Sequence, residues 1–338
     1  MANIQDLERE LRGFYNARCI GKTDGPLVSE YVYSVSKQAR MSDISDIAAR
    51  YFMLVAPAHG DGDIAVYVPR ENPRRVNMSD LIMSPKFRNN SAEFPLVLGV
   101  DALGAPIIEK LKTMSHTLIG GMVGTGKTML LKSIVSSVVD RYTPTECGLI
   151  IIDTKCADFA DAHGIPHLMR PVATNVSDAL DVLGYIEEVI DDRFAKLDIV
   201  GMKNITSYNK KAQKRMSNIV IVIDELADLM AASPEDAEMS IRRIAQLGPG
   251  VGVYIVAATG QIKPDVLTDV IRVNFPTRIS FLTRDRDESC TILGEESAKY
   301  LLPHGDALLS VAGAAPRRIH TPYFNIKMRG RDDICIIG

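Results

Sequence analysis

Apolar positions are spread unevenly along the chain. From His116 onward, short unbroken apolar runs alternate with longer stretches of helical period. The runs predict strands at Thr117–Gly120, Leu149–Asp153, Ile219–Asp224, Val253–Ala258, Thr277–Leu282 and Ala307–Val311. The stretches between them predict helices, notably Thr128–Asp140, Val176–Lys196, Ala237–Leu247 and Leu267–Val273. A strand without polar alternation is buried on both faces, and strand–helix alternation builds a parallel sheet between helical layers. The expected class is therefore α/β, with a mostly parallel sheet flanked by helices.

The first third reads differently, as a smaller α+β unit. A charged, mildly amphipathic helix is expected over Ile4–Arg18, then an extended segment over Leu27–Val35. Ser42 and Ser45 are candidate caps for a helix running through Tyr51 to Val55, with Ile44, Ile47 and Ala48 on one face. Residues 60–62 predict a turn, Ile64–Val68 a strand, and Ser79–Met83 a short helix. Asp101-Ala102-Leu103-Gly104 sits between two apolar runs, a hairpin signal. These patterns divide the chain into an N-terminal helix and linker (1–24), a small α+β domain (25–115), a larger α/β domain (116–330) and a tail (331–338). The first third holds no catalytic constellation.

Composition adds bounds. A length of 338 residues suggests about two domains, and 46% apolar with 24% charged residues is ordinary for a soluble globular protein. No apolar run approaches the roughly 20 residues of a membrane helix, and no signal-peptide pattern opens the chain. Five scattered cysteines without a C-x-x-C pair fit a reduced, cytoplasmic protein. A net charge of −3 argues against a broad basic face, but leaves room for a few Arg or Lys residues in one loop.

The chemistry centres on Gly121-Met122-Val123-Gly124-Thr125-Gly126-Lys127-Thr128, between a predicted strand and a predicted helix opening at Met129. This is the G-x-x-x-x-G-K-T spacing of a phosphate-binding loop. A triphosphate needs many N–H donors in a small space, so the backbone must curl around it without Cβ atoms in the way. Lys127 is placed to reach the β- and γ-phosphates, and the Thr128 hydroxyl to hold Mg²⁺. The helix N-terminus adds its positive dipole end. A second apolar strand ends in Asp224-Glu225: Asp224 suits the Mg²⁺ shell, and Glu225 suits polarisation of the attacking water. Together they predict an ATPase-type site using ATP and Mg²⁺. His163 and His167 stand four apart, but Gly164-Ile165-Pro166 breaks any helix between them, so they read as structural rather than metal-binding.

Beyond these two motifs, the chain resembles the FtsK/SpoIIIE family of DNA translocase motors from about Gly25 to Phe324. The resemblance is carried by Lys86-Phe87-Arg88-Asn89-Asn90, Ile152-Asp153-Thr154-Lys155, Gly164-Ile165-Pro166-His167-Leu168, Asp224-Glu225-Leu226-Ala227-Asp228-Leu229-Met230, Asn274-Phe275-Pro276-Thr277-Arg278-Ile279 and Thr291-Ile292-Leu293. It implies a RecA-like P-loop ATPase core preceded by a smaller domain. It also implies a homo-hexameric ring around double-stranded DNA, with one ATP site at each subunit junction.

Two departures from the family pattern bear on chemistry. Pro249 stands where the family usually carries an Arg that resembles a trans-acting finger; Arg243, Arg278 and Arg284 are the candidate substitutes. Such a finger is worth about 10³ to 10⁵ in rate. The family's Ala-Thr-Gln-Arg-Pro appears here as Ala258-Thr259-Gly260-Gln261-Ile262-Lys263-Pro264. Gln261 is therefore either a displaced γ-phosphate sensor or an ordinary loop residue. For DNA, Arg272 and Arg286 match basic family positions, while Gln261 and Cys290 stand where two others have been lost. Arg286 also fits a solvated stretch of alternating charge. Contacts of this kind reach phosphates rather than bases, so sequence-independent binding is expected.

The resulting expectation is an ATP-dependent DNA translocase without the membrane region or winged-helix module of chromosomal relatives. Two rivals stay open: a secretion-type ATPase that moves protein, and a non-hydrolysing DNA-binding ring.

Overall fold

A computed structural model describes residues 4–36, 40–51, 53–58 and 62–326. The turn expected at 60–62 in part, and the tail at 331–338, lie outside the described residues. Two sheets organise the chain. The smaller is antiparallel, in the order β1 (Arg18–Asp24), β2 (Val28–Ser34), β4 (Asp63–Pro69), β3 (Leu54–Pro57). Helices Ile4–Tyr15 and Met41–Ala49 cover it, burying Leu7, Leu11, Ile44, Ile47 and Ala48 against Tyr33, Ile64 and Val66.

Three local expectations change here. The first helix ends at Tyr15 because Asn16 takes a left-handed backbone (φ 49°), and the Asn16 and Ala17 amides turn back to the Arg12 and Leu11 carbonyls. The second helix stops at Ala49 instead of running to Val55, since Leu54–Pro57 pairs with β4, Val55 opposite Val66. The strand β1 carries almost no buried residue, so it has no apolar signature. It is held by its ladder to β2.

The larger sheet has nine strands. In chain order they are β5 (Pro95–Asp101), β6 (Pro106–Lys110), β7 (Thr117–Gly120), β8 (Cys147–Ile152), β9 (Asn218–Ile223), β10 (Val253–Thr259), β11 (Thr277–Phe281), β12 (Asp306–Ser310) and β13 (Arg317–His320). Their spatial order is β6-β5-β13-β12-β11-β7-β10-β9-β8. The run β11-β7-β10-β9-β8 is parallel, and β12, β13, β5 and β6 extend it antiparallel. The expected 95–110 hairpin forms, with the Asp101 carboxylate accepting from the Leu103 and Ala105 amides. It joins the nine-stranded sheet through β13.

The parallel strands β7, β8, β9 and β10 are buried at every position because each face has its own helical layer. In β9, Val220 and Val222 face the helix Lys127–Arg141, while Ile219, Ile221 and Ile223 face the helices Val176–Ile199 and Pro234–Leu247. At roughly 1.5–3 kcal/mol per fully buried large aliphatic side chain, this double burial dominates the stability of the sheet. The small sheet leans on the large one where Leu54 packs with Leu301 and Leu308.

Candidate active site

The interior strand β7, between β11 and β10, runs into the glycine loop, and the helix from Lys127 starts as the loop ends. Gly121 (φ 141°) passes so close to β11 that a Cβ would lie 2.7 Å from Phe281 Cβ. Gly124 (φ 79°) faces open space, so the curl is clear on its mouth side. The loop is anchored from outside: the Met122 amide donates to the Leu282 carbonyl at 2.8 Å, and the Gly305 amide to the Thr125 carbonyl at 2.8 Å. Val123 is the exposed tip.

Lys127 folds back, donating from Nζ to the Gly121 and Met122 carbonyls at 2.8 Å each. Burial pulls its pKa below the usual lysine value, partly opposed by Glu225 and Asp224. Thr128 Oγ1 donates to Asp224 Oδ1 at 3.0 Å, although the two residues are 96 positions apart. Burial pushes the Asp224 carboxyl up to about 6 against the Thr128 hydrogen bond, with Asp158, Asp153 and Glu225 adding negative charge. Asp153 is buried, and its Oδ1 has no hydrogen-bond partner among the described residues.

This donor set fits a hard divalent cation. It offers a hydroxyl, a carboxylate that is costly to ionise without a counter-charge, and an unpartnered buried carboxylate oxygen nearby. Among the described residues no group of three or more His, Cys, Asp or Glu side chains could hold a metal. Mg²⁺ characteristically takes one or two protein oxygens, keeping waters and phosphate oxygens for the rest. His167 is buried, with Nε2 2.7 Å from the Tyr142 carbonyl, while His163 is exposed.

Glu225 is fully engaged. Oε1 accepts from Thr259 Oγ1 at 2.7 Å and from the Gly260 amide at 3.1 Å, and Oε2 accepts from Lys155 Nζ at 3.1 Å. The strand ends of β8, β9 and β10 thus converge on one carboxylate. Gln261 is exposed, its backbone N–H donating to Thr259 Oγ1. The position facing the site is Gly260, where a Cβ would sit 3.5 Å from Glu225 Oε2 and 3.6 Å from Lys127 Nζ.

A cleft of about 480 Å³ opens beside the loop, lined by Gly124, Gly126 and Met129 on one side and by Arg74, Arg75 and Tyr323 on the other. The Arg75 guanidinium lies over the Tyr323 ring at 4.4 Å. Nothing in the local sequence marks these residues, because the chain brings them together from opposite ends.

The basic candidates are dispersed. Arg243 pairs with Asp191 at 2.7 Å and with Glu187 at 3.4 Å. Arg284 is held by Glu288, its Nε 2.6 Å from Oε1. Arg278 donates to the carbonyls of Phe275, Ile292 and Arg272, tying two helices to β11. Arg272 pairs with Asp269 on its own helix, and the exposed Arg286 stands 3.5 Å from Glu296.

The sequence profile of the FtsK/SpoIIIE family matches residues 77–266. The DNA translocase FtsK of Rickettsia typhi is 32% identical over 90% of this chain and 47% of its own length. That of Caldanaerobacter subterraneus subsp. tengcongensis is 34% identical over 96% and 47%. The chain therefore spans about half the length of these relatives. Among solved structures, the pCW3 conjugation coupling protein TcpA, in its monomer form with ATPγS, superposes with a TM-score of 0.65. It is 20% identical and covers 91% of this chain and 89% of its own. The cytoplasmic domain of the Thermomonospora curvata type VII secretion ATPase EccC gives 0.65 at 24% identity, covering 74% of this chain and 32% of its own. At these identities the two structures share the fold of this chain.

Proposed function

This chain belongs to the FtsK/SpoIIIE family, and from that premise we propose that it is an ATP-hydrolysing motor that moves double-stranded DNA through a ring of identical subunits. The observation that carries the hydrolytic part is the meeting of Lys127, Thr128, Asp224 and Glu225 beyond the C-terminal ends of β7 and β9, the two parallel strands that flank β10. That is where open α/β sheets bind ligands. The DNA part rests on the translocase relatives.

In this reading the glycine loop wraps the phosphates with backbone N–H groups. Lys127 leaves its two carbonyl acceptors for the β- and γ-phosphate oxygens. The base and ribose lie in the cleft between Met129 and the Arg75–Tyr323 pair. Thr128 and Asp224 would hold Mg²⁺, which supplies charge neutralisation between the phosphates. Glu225 orients the attacking water and accepts its proton. Arg272 and Arg286 touch the duplex backbone. Arg243 and Arg284 are the finger candidates with exposed side chains, each paired with a carboxylate, whereas Arg278 is occupied by backbone carbonyls of its own chain.

The test is ATP turnover with and without duplex DNA at two salt concentrations, beside Glu225→Gln. Stimulation by DNA, weaker at high salt, and near-complete loss in the variant are expected. Turnover indifferent to DNA would overturn the translocase reading, and would favour a protein-moving role, to which the fold shared with EccC lends itself.

A further inference from the structure

Glu225 is restrained from two directions. Thr259, at the buried end of β10, donates to Oε1, and the amide of Gly260 just beyond it reaches Oε1 at 3.1 Å and Oε2 at 3.3 Å. Lys155 comes from the loop after β8, crosses to the end of β9 and holds Oε2. Its side chain is 51% exposed, against 8% for Glu225. The loop beneath it is hydrogen-bonded in place: Thr154 Oγ1 donates to Asp228 at 2.6 Å, and the Asp153 carboxylate accepts from the Asp158 and Phe159 amides. An anchored loop therefore delivers a half-exposed cation to the carboxylate that faces Lys127.

Gly260 offers no side chain where a Cβ would stand in ordinary contact with both Glu225 Oε2 and Lys127 Nζ. Among the described residues, Lys155 is the side chain paired with Oε2. We propose that Lys155 is a positioning residue for hydrolysis, fixing the Glu225 carboxylate at the mouth of the phosphate loop in the place that Gly260 leaves without a side chain. The proposal rests on the ATPase reading of this site. Burial works against the ammonium charge, yet the hydrogen bond and charge of Glu225, with Asp228 and Asp224, hold Lys155 above the usual lysine range. Such a charge-assisted contact is among the stronger hydrogen bonds available to a side chain.

The test compares the full chain with Lys155→Met and Lys155→Arg, each also made in the Glu225→Gln background. Lys155→Met is expected to lower kcat about 10- to 100-fold, the worth of one hydrogen bond to a charged group. The affinities for fluorescent ATP and ADP analogues should stay within about threefold, since the phosphates are gripped by the loop. Lys155→Arg should recover most of the rate, and Lys155→Met should add nothing once Glu225 is Gln. A readout independent of turnover is acylation of the Lys155 amine, followed by mass spectrometry without nucleotide: it should be slow in the wild type and faster in Glu225→Gln. An unchanged kcat in Lys155→Met, a parallel loss of ATP and ADP affinity, failure of Arg to rescue, or equal acylation in both backgrounds would each overturn the assignment. A wild type that binds nucleotide but never hydrolyses it would instead remove the ATPase reading, and the assignment with it.

Discussion

At the scale of single residues, two glycines in the same site obey opposite rules. Gly121 combines φ 141° with a neighbouring side chain 2.7 Å from any added Cβ, so even Ala needs both backbone strain and movement of Phe281. Gly260 carries no positive φ, and its nearest neighbours would be at ordinary contact distance. Gly121→Ala is therefore expected to lower the melting temperature by several degrees and to weaken nucleotide binding. Gly260→Ala should melt within about 2 °C of wild type. Thermal melts of the two variants, with nucleotide titrations, check this directly. The contrast was only half legible in the sequence. The loop glycines announce themselves by spacing. That Gly260, and not Gln261, faces Glu225 and Lys127 depends on how β10 ends against β9.

At the scale of elements, the antiparallel strands β12 and β13 do more than widen the sheet. Asp306 on β12 is wholly buried and accepts from Arg318 Nε on β13 at 2.8 Å, with His320 Nδ1 3.3 Å from the same oxygen. The next residue back is Gly305, whose amide fixes the Thr125 carbonyl and whose own carbonyl accepts from the Thr321 amide at 2.7 Å. The ion pair thus braces the segment that braces the phosphate loop. Breaking a buried pair leaves its partner uncompensated, so Arg318→Met is expected to cost about 3–5 kcal/mol in denaturant unfolding.

The pH dependence of this pair has a definite sign. Burial pushes the Asp306 carboxyl up, but Arg318 and His320 outweigh it and hold the group at about 2, below the ordinary 3.8. A depressed carboxylate contributes stability above its unfolded pKa and loses it as pH falls through the folded one. Stability should decline between about pH 4 and pH 2, and Asp306→Asn should flatten that part of the curve. Melts across this window decide.

At the scale of the whole molecule, the proposed partner is a polyanion, although the chain carries a net charge of −3. Binding must then come from a few local cations repeated around an assembly rather than from a basic face. Arg272 and Arg286 are each engaged with a carboxylate of their own chain, which a phosphate backbone would have to displace. Replacing both with Ala should reduce the salt dependence of duplex binding by a slope of about 2 per subunit, uniformly across DNA sequences. Fluorescence anisotropy with two unrelated duplexes over a salt series measures it. A variant that loses affinity for one duplex only would contradict backbone recognition.

The order of residues along the chain sufficed for the glycine loop, its Lys127–Thr128 end and the Asp224–Glu225 strand terminus. Those features are local: a spacing, an unbroken apolar run and a change of period carry them, and the parallel half of the large sheet follows from the same alternation. What needed the tertiary structure lies across long separations. The 95–110 hairpin reaches the large sheet only through β13, Arg75 meets Tyr323 only when the ends of the chain are brought together, and Lys155 finds Glu225 seventy positions away. No window of sequence contains both partners of such a contact. Their geometry is set by which strands lie side by side, and that is decided by burial of the whole core.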